Sequence, residues 1–423
     1  MARNVGLLCF IQCFLVVSVS GYSGQDIAGV ITYLFTNSSY NYRIRPVANH
    51  TTPVTVVVDF FLKSIVEFDE KAESLKTAGF LAAAWRDEYL TWNASEHNGV
   101  TSIFLPQNEI WKPDLSLYNA FKTFTGLGSA FLQVKVTNDG SVSWVPFQIL
   151  QSTCSLDITY FPFDIQECSI KFSAWSYTRS EVDINMGNNG VILDEYEENA
   201  SWTLQSTTYE EINSDEAAVI FIVRLQRKPS FYMLNVLAPV ILLSALNILT
   251  FCLPCSSGER ASYAITVFLA LAVFLSIVAS ELPKNSDNPS YISIYLTIMT
   301  TLSTIIVSVS IFEVRLIARS EKYPMGLAFH CLVKFYRLVR CRSGSCRKNA
   351  VVDADLEEKK EPGLNDKNDN EPTNTWQEVV NAIDFFSFWI CFLITLMTTL
   401  VVFLLISTNK LERSDDQNAN YFY

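Results

Sequence analysis

The sequence predicts an extracellular antiparallel β-sandwich of the immunoglobulin-like Greek-key kind, followed by a four-helix transmembrane bundle. Three observations predict it. Up to about residue 227, hydrophobic residues come in short alternating or β-branched runs separated by turn residues, the pattern of half-buried strands. Beyond that point lie four uncharged apolar stretches, each long enough to cross a bilayer. All four N-x-S/T sequons, at Asn37, Asn49, Asn93 and Asn199, fall before the first of those stretches, which puts the strand-rich half on the lumenal or extracellular side. At 423 residues and 49% hydrophobic composition, the chain has room for two units and suits a membrane protein better than a soluble enzyme.

The chain opens with Arg3, an apolar run over 5–19, and the small residues Ser18 and Ser20 ahead of Gly21, which together read as a signal peptide cut between 20 and 24. A short helix then precedes the strands. Runs at 54–61 (VTVVVDFF), 131–137 (FLQVKVT) and 218–225 (AVIFIVRL) are strands, and Asn138-Asp139-Gly140 after the second is a hairpin turn. Of the ten cysteines, Cys9 and Cys13 leave with the signal peptide. Cys154 and Cys168 are then the pair in the ectodomain, so a disulfide between them is the economical assignment. The remaining six sit in or beside membrane and cytosolic segments and are read as reduced. Cys252 and Cys255, with no second pair or histidine nearby, are not read as a metal site.

The four apolar stretches are 231–253, 261–280, 291–312 and 385–407. With the sandwich outside, four crossings return the C-terminus to the outside. The segment after the third crossing is then cytosolic, and 315–348 carries nine Lys/Arg against one acid, Glu321, as the positive-inside rule requires. Its middle, 331–340 (CLVKFYRLVR), reads as a basic interfacial helix, and 351–378 as an acidic flexible linker. The expected division is a signal peptide over 1–20, an ectodomain over 21–229, three membrane helices within 230–314, an intracellular loop over 315–380, a fourth helix over 381–407 and an extracellular tail over 408–423.

The stretch 258–283 (GERASYAITVFLALAVFLSIVASELP) sets the functional expectation. Its uncharged middle, 261–280, is just long enough to span. Ser262, Thr266, Leu269, Val273, Ser276 and Ser280 recur at spacings of four and three and so share one helical face. Turned toward water among copies of itself, that face makes a pore lined by hydroxyls, narrowed at Leu269 and Val273 and headed by a ring of Glu259 carboxylates. The alternative is structural: hydroxyls packed against neighbouring helices or bonded back to their own carbonyls.

A net charge of −12 argues against nucleic acid as a partner. His50, His97 and His330 lie far apart, and no nucleophile motif or phosphate loop is present, so the chain is not read as an enzyme, and no cofactor is expected.

The segment from Cys154 to Cys168, CSLDITYFPFDIQEC, holds Phe161-Pro162-Phe163-Asp164 between its cysteines and resembles the signature loop of the Cys-loop family of pentameric ligand-gated ion channels. Trp111-Lys112-Pro113-Asp114 with Tyr118 resembles that family's first binding loop, and Ala174-Trp175-Ser176-Tyr177 its second. Gly258-Glu259-Arg260 and Pro283, at the two ends of the pore stretch, resemble the cation-selective, nicotinic acetylcholine receptor-like branch. The resemblance implies five subunits, identical or mixed, around an axis lined by the second helix. It implies Glu259 as selectivity ring, Ser262 and Thr266 as the narrow half, and Leu269 and Val273 as a dewetting gate. Monovalent cations, with calcium as a further candidate, would permeate a plasma-membrane channel with both termini outside, in keeping with a postsynaptic place.

The resemblance also implies an agonist box between subunits, suited to a cationic amine because aromatic faces carry negative potential. Tyr118, Trp175 and Tyr209 match its principal face and Phe80 its complementary face. Two positions depart. Glu211-Ile212 stand where acetylcholine-binding subunits have adjacent cysteines, and Glu216 stands where a second tyrosine belongs, so the agonist is left open. Glu210, Glu211 and Glu216 are read as solvated loop charge, with attraction of a cationic ligand as the alternative. For any single box aromatic, core packing is the competing role; Trp85, Trp92 and Trp144 are read as structural. At the domain junction, Arg227 is expected to pair with Glu70 near Asp164, while Phe161-Pro162-Phe163 press on the 283–289 linker; membrane anchoring is the alternative for Arg227. A non-conducting or auxiliary subunit that needs partner subunits is the alternative function.

Overall fold

The computed structural model describes residues 21–423 except 125, 130, 214, 256–257, 283–288, 320–324, 343–374 and 421–423. The expected signal peptide, Pro283 with most of its linker, and most of the acidic segment lie outside the described residues.

Helix α1 (Gly24–Thr32) starts at a Ser23–Asp26 capping box, which satisfies backbone N–H groups that the first turn leaves open. Eleven strands follow among the described residues. Strand β1 (Val54–Asp69) shows why a sandwich forms: Val54, Val56, Val58, Phe60 and Leu62 alternate inward and are buried, as a period of two requires. The larger sheet joins β1 to β2 (Ser74–Thr91), β3 (Ser102–Pro106), β5 (Gln133–Thr137), β6 (Asp139–Trp144), β7 (Phe147–Thr153) and β9 (Val182–Ile192). The smaller sheet runs β10 (Trp202–Asn213), β11 (Ala217–Arg227), β8 (Ile165–Ala174), β4 (Leu115–Leu117). Every pairing is antiparallel except β1 with β9, which run parallel from Val54 opposite Val182. That one pair departs from the all-antiparallel expectation. The hairpin between β5 and β6 turns at Gly140, whose φ of 85° a side chain would resist. Between the sheets, Phe60, Phe172 and Phe221 pack ring against ring, and Trp85 meets Trp111 edge-on, so Trp85 and Trp144 are core residues.

Among the described residues, four helices are long and apolar enough to cross a membrane. The first, α2 (Ser230–Cys252), opens with a wide π turn at Met233–Leu237 just before Pro239, which has no N–H to give its preceding turn. The others are α3 (Arg260–Glu281), α4 (Tyr291–Ile317) and α6 (Trp376–Asn420), with the basic helix α5 (Leu327–Arg342) before the last. Helix α4 lies among the rest, burying Leu296, Met299, Leu302 and Ile306 at helical spacing; α6 is the least covered. Helix α4 runs beyond the uncharged stretch that ends at 312 and so carries Glu313; α6 begins before the stretch that starts at 385 and so carries Glu378 and Asp384.

The two halves meet through one apolar cluster. Leu156, Ile158 and Phe161 of the cysteine loop pack with Leu237 and Val240 of α2, Leu282 after α3, and Ile292 of α4.

Candidate functional sites: ligand box, domain junction and pore face

The box is built at the ends of β4 and β8. Tyr118 follows β4 and its N–H bonds the Lys171 carbonyl at 2.8 Å. Trp175 follows β8, where Asp114 binds the next turn by accepting from the Ser176 N–H at 2.6 Å. Large aromatics are normally driven inside, yet Tyr118 and Trp175 are half exposed, with centroids 6.2 Å apart. They border an open cavity of about 420 Å³ whose lining also includes Tyr177, Asp215 and Glu216. Tyr209 is half exposed on β10, its ring lying over Gly190 of β9 rather than in that lining. Phe80 stands on the other sheet, stacked on Phe61 at 4.5 Å. Within one chain, then, two of the four expected aromatics come together.

Two neighbours, Phe124 and Lys171, were not legible in the motifs. Phe124 packs on Trp175 at 4.5 Å. The Lys171 ammonium sits 3.8 Å from the Tyr118 ring centroid and 3.8 Å from Glu216 Oε2. Glu216 lines the cavity and Glu211 accepts a 2.7 Å bond from the Met186 N–H, while both stay exposed to solvent as expected of loop charge.

At the junction, Arg227 ends β11 with its guanidinium buried between rings, 4.4 Å from the Trp202 centroid and 4.8 Å from Phe161. Its Nε donates to Asp164 Oδ1 at 2.7 Å and its Nη2 to Asp164 Oδ2 at 3.0 Å, while Nη1 donates to Glu70. Burial alone would favour the neutral guanidine; bonds to Asp164, and the charges of Asp164 and Glu70, outweigh it and hold the group firmly protonated. The expected Glu70 pair is present, and Asp164 is a second, more deeply buried partner that takes two bonds. The loop that carries Asp164 reaches the membrane helices directly: the Tyr291 N–H bonds the Thr159 carbonyl at 3.0 Å and Tyr160 meets the Tyr291 ring. Cys154 and Cys168 are joined by a disulfide that closes this loop.

On the pore stretch, Ser262, Thr266, Leu269, Val273, Ser276 and Ser280 are all exposed in the single chain, with Leu269 at 61%, while Ala264, Val267, Leu271 and Val278 on the opposite side are buried. Thr266 and Ser280 donate back to the carbonyls of Ser262 and Ile277, which satisfies their hydrogens without a partner helix. Glu259 is exposed at the head of α3; Arg260, the next residue, is fully buried. Its guanidinium bonds Glu313 at 2.6 Å, Asp384 and the Cys255 sulfur, and lies 5.2 Å from the Phe251 centroid. Cys255, Glu313 and Asp384 bring possible metal-ligand atoms within 4.8 Å of one another, but the cation among them is Arg260 itself. A lone acid after an apolar run was the available signal for this cluster.

Residues 28–229 match the family model for the neurotransmitter-gated ion-channel ligand binding domain, and residues 236–326 that for the neurotransmitter-gated ion-channel transmembrane region. The chain belongs to the neurotransmitter-gated ion-channel family. It is 32% identical over 344 residues to neuronal acetylcholine receptor subunit alpha-6 of Mus musculus, covering 78% of this chain and 67% of that one. It is 33% identical to neuronal acetylcholine receptor subunit alpha-9-II of Oncorhynchus mykiss, over 72% of this chain and 56% of the relative. It is 34% identical to acetylcholine receptor subunit alpha-type acr-16 of Caenorhabditis briggsae, over 63% and 55%. The matched part thus spans between about half and two thirds of these relatives. A ligand-gated ion-channel subunit of the nicotinic receptor family is what the chain is; the family is not one of enzymes.

Proposed function

We propose that this chain is one subunit of a pentameric plasma-membrane channel that opens a cation-selective pore, for monovalent ions with calcium as a further candidate, when a small ligand binds between neighbouring ectodomains. The observation that carries the reading is the uncovered face of α3. A membrane helix gains nothing by showing hydroxyls to lipid, whereas five such faces around an axis surround water. Glu259 then rings the cytosolic mouth, and Leu269 and Val273 form the constriction that closes by dewetting. The box fits the same picture: Phe80 lies on the opposite sheet from Tyr118 and Trp175, which suits a site shared by two subunits. Both termini are then extracellular, and Asn37, Asn49, Asn93 and Asn199 lie on that side.

The test is Leu269→Ser, expressed alone in oocytes, with the reversal potential of resting current followed as external NaCl is diluted. Wetting the constriction opens the pore without knowledge of the agonist. A current reversing toward the sodium potential is expected. A chloride-following reversal would overturn the role of Glu259. Surface protein without current would favour the auxiliary-subunit reading, in which partner subunits supply the pore.

A further inference from the structure

We infer that a second cavity, lined by Lys112, Asp114, Phe124, Trp144 and Trp175, is a ligand site separate from the Tyr118–Trp175 box, and that it takes a small zwitterion: a carboxylate held by Lys112 and an ammonium held by Asp114. This cavity encloses about 300 Å³ and shares Trp175 and Ser176 with the box, but its other walls come from the segment carrying Lys112, the segment carrying Phe124, and the end of β6 at Trp144. Two of its lining groups lack the partners their charge calls for. Lys112 is half-buried, and among the described residues its ammonium has the Trp144 ring, 5.2 Å from the centroid, and no carboxylate. Burial pulls that ammonium below its usual range, and no neighbouring charge offsets the effect. Asp114 commits one oxygen only: Oδ2 accepts from the Ser176 N–H at 2.6 Å, while Oδ1 is buried with no donor on it. An ion pair would satisfy both groups, yet Lys112 and Asp114 do not meet. An ammonium without an acceptor and a carboxylate oxygen without a donor each carry a desolvation cost. A simple anion would answer Lys112 but face Asp114, and a simple cation would do the reverse; one molecule bearing both charges answers both. The cavity has the volume of about ten waters, room for an amino acid of about six heavy atoms. Phe124 and Trp175, their rings 4.5 Å apart, give the apolar wall that suits methylenes between the two charges.

The test is tryptophan fluorescence titration of the purified full-length protein, since Trp144 and Trp175 line the site. The probes are glycine, β-alanine and 4-aminobutyrate, which differ in the separation of their charges, with propionate and propylamine as single-charge controls. At least one zwitterion is expected to bind with a Kd of about 1 mM or below, and both controls roughly tenfold more weakly or worse, the ratio that one hydrogen bond to a charged group supports. Lys112→Met, which keeps the stem and removes the charge, is expected to weaken that zwitterion about tenfold, and Lys112→Arg to restore most of the loss. Asp114→Asn is expected to weaken the zwitterion but to tighten propionate, opposite signs that damage to the fold cannot produce. Should Asp114→Asn fail to fold, Lys112→Met against Lys112→Arg decides alone. Tyr118→Ala, which alters the box and not this cavity, is expected to leave the affinity within about threefold. No zwitterion binding below about 10 mM, propionate binding as well as the zwitterions, or Lys112→Met without effect would overturn the inference. A loss in Tyr118→Ala equal to that in Lys112→Met would place the ligand in the box, and would overturn it too.

Discussion

Replacing Arg227 with Gln is the most exacting test of the domain junction. The substitution leaves Asp164, at 1% exposure, and Glu70, at 17%, without their common cation. Removing one member of a buried ion pair costs about 3–5 kcal/mol, because the survivor stays desolvated. Loss of the guanidinium's contacts with Trp202 and Phe161 adds about 0.5–2 kcal/mol. The geometry also ranks the partners. Asp164 accepts two bonds in a nearly dry site, whereas Glu70 accepts one at a partly wet edge. In double-mutant cycles with Asp164→Asn and Glu70→Gln, the Arg227–Asp164 coupling is therefore expected to reach about 3 kcal/mol and the Arg227–Glu70 coupling about 1 kcal/mol. Exchanging Arg227 and Glu70 is not expected to rescue, since it sets a carboxylate against Asp164. The assay is thermal unfolding of the detergent-solubilised full-length protein, followed by tryptophan fluorescence. About 3 kcal/mol corresponds to a shift of roughly 6–12 °C for an ectodomain of this size. A Glu70 coupling equal to or above that of Asp164, or a shift under about 3 °C for Arg227→Gln, refutes the reasoning.

Asp87 makes a pH prediction. Burial, partly offset by bonds from Tyr40 and the Tyr89 N–H, pushes its carboxyl up to about 6 from an ordinary 3.8. Here an acid is raised, so the folded chain binds a proton more tightly than the unfolded one, and stability falls as pH rises from about 4 to about 6, by about 3 kcal/mol in all. Asp87→Asn is expected to flatten that part of the stability profile; an unchanged profile in urea unfolding between those values would contradict it. Glycopeptide mass spectrometry should find Asn49 occupied and Asn199 bare. Asn49 is exposed, with the Thr51 hydroxyl on its Oδ1 at 2.7 Å, whereas the Asn199 Nδ2 already donates to the Ile65 carbonyl at 2.8 Å. Arg260→Gln is expected to cut surface delivery severely, at about 3–5 kcal/mol for the stranded Glu313, and the double variant with Glu313→Gln to recover part of it. Recovery absent in a biotinylation assay would mean that Glu313 is not the partner that matters.

Much of the architecture was legible because it follows from composition and period. Alternation at 54–61 marked β1, and uncharged length marked the membrane helices. What escaped depends on contacts distant in sequence. The uncharged stretches stop at Phe312 and begin at Phe385; α4 and α6 continue through Glu313 and Asp384, both of which pair with Arg260 inside the bundle. The parallel run of β9 beside β1 has no local signature either, since Val54 and Val182 meet only in the fold. At the box, Glu216 reads in sequence as a departure at a loop tip. The hairpin of β10 and β11, which sets Asn213 opposite Ala217, turns it toward Lys171 and the cavity.

The consecutive pair Glu259 and Arg260 shows how one helix turn separates two electrostatic tasks. A step of about 100° per residue sends neighbours to different faces, so the carboxylate is exposed while the guanidinium enters the bundle. Had both faced the proposed pore, each subunit's positive charge would cancel its negative one at the mouth, and the ring would carry little net field. Burial of the cation removes that cancellation, and the acids that make burial tolerable, Glu313 and Asp384, come from helices behind α3. The same contacts fasten the base of α3 to α4, α6 and the turn holding Cys255, while its stripe from Ser262 to Ser280 remains uncovered. In the proposed channel the helix is thus held at its base and packed near its other end with the cysteine loop through Val278 and Leu282. In the proposed channel, selectivity and gating thus draw on different parts of one helix: the fixed base sets the charge at the mouth, and the span above it carries the constriction.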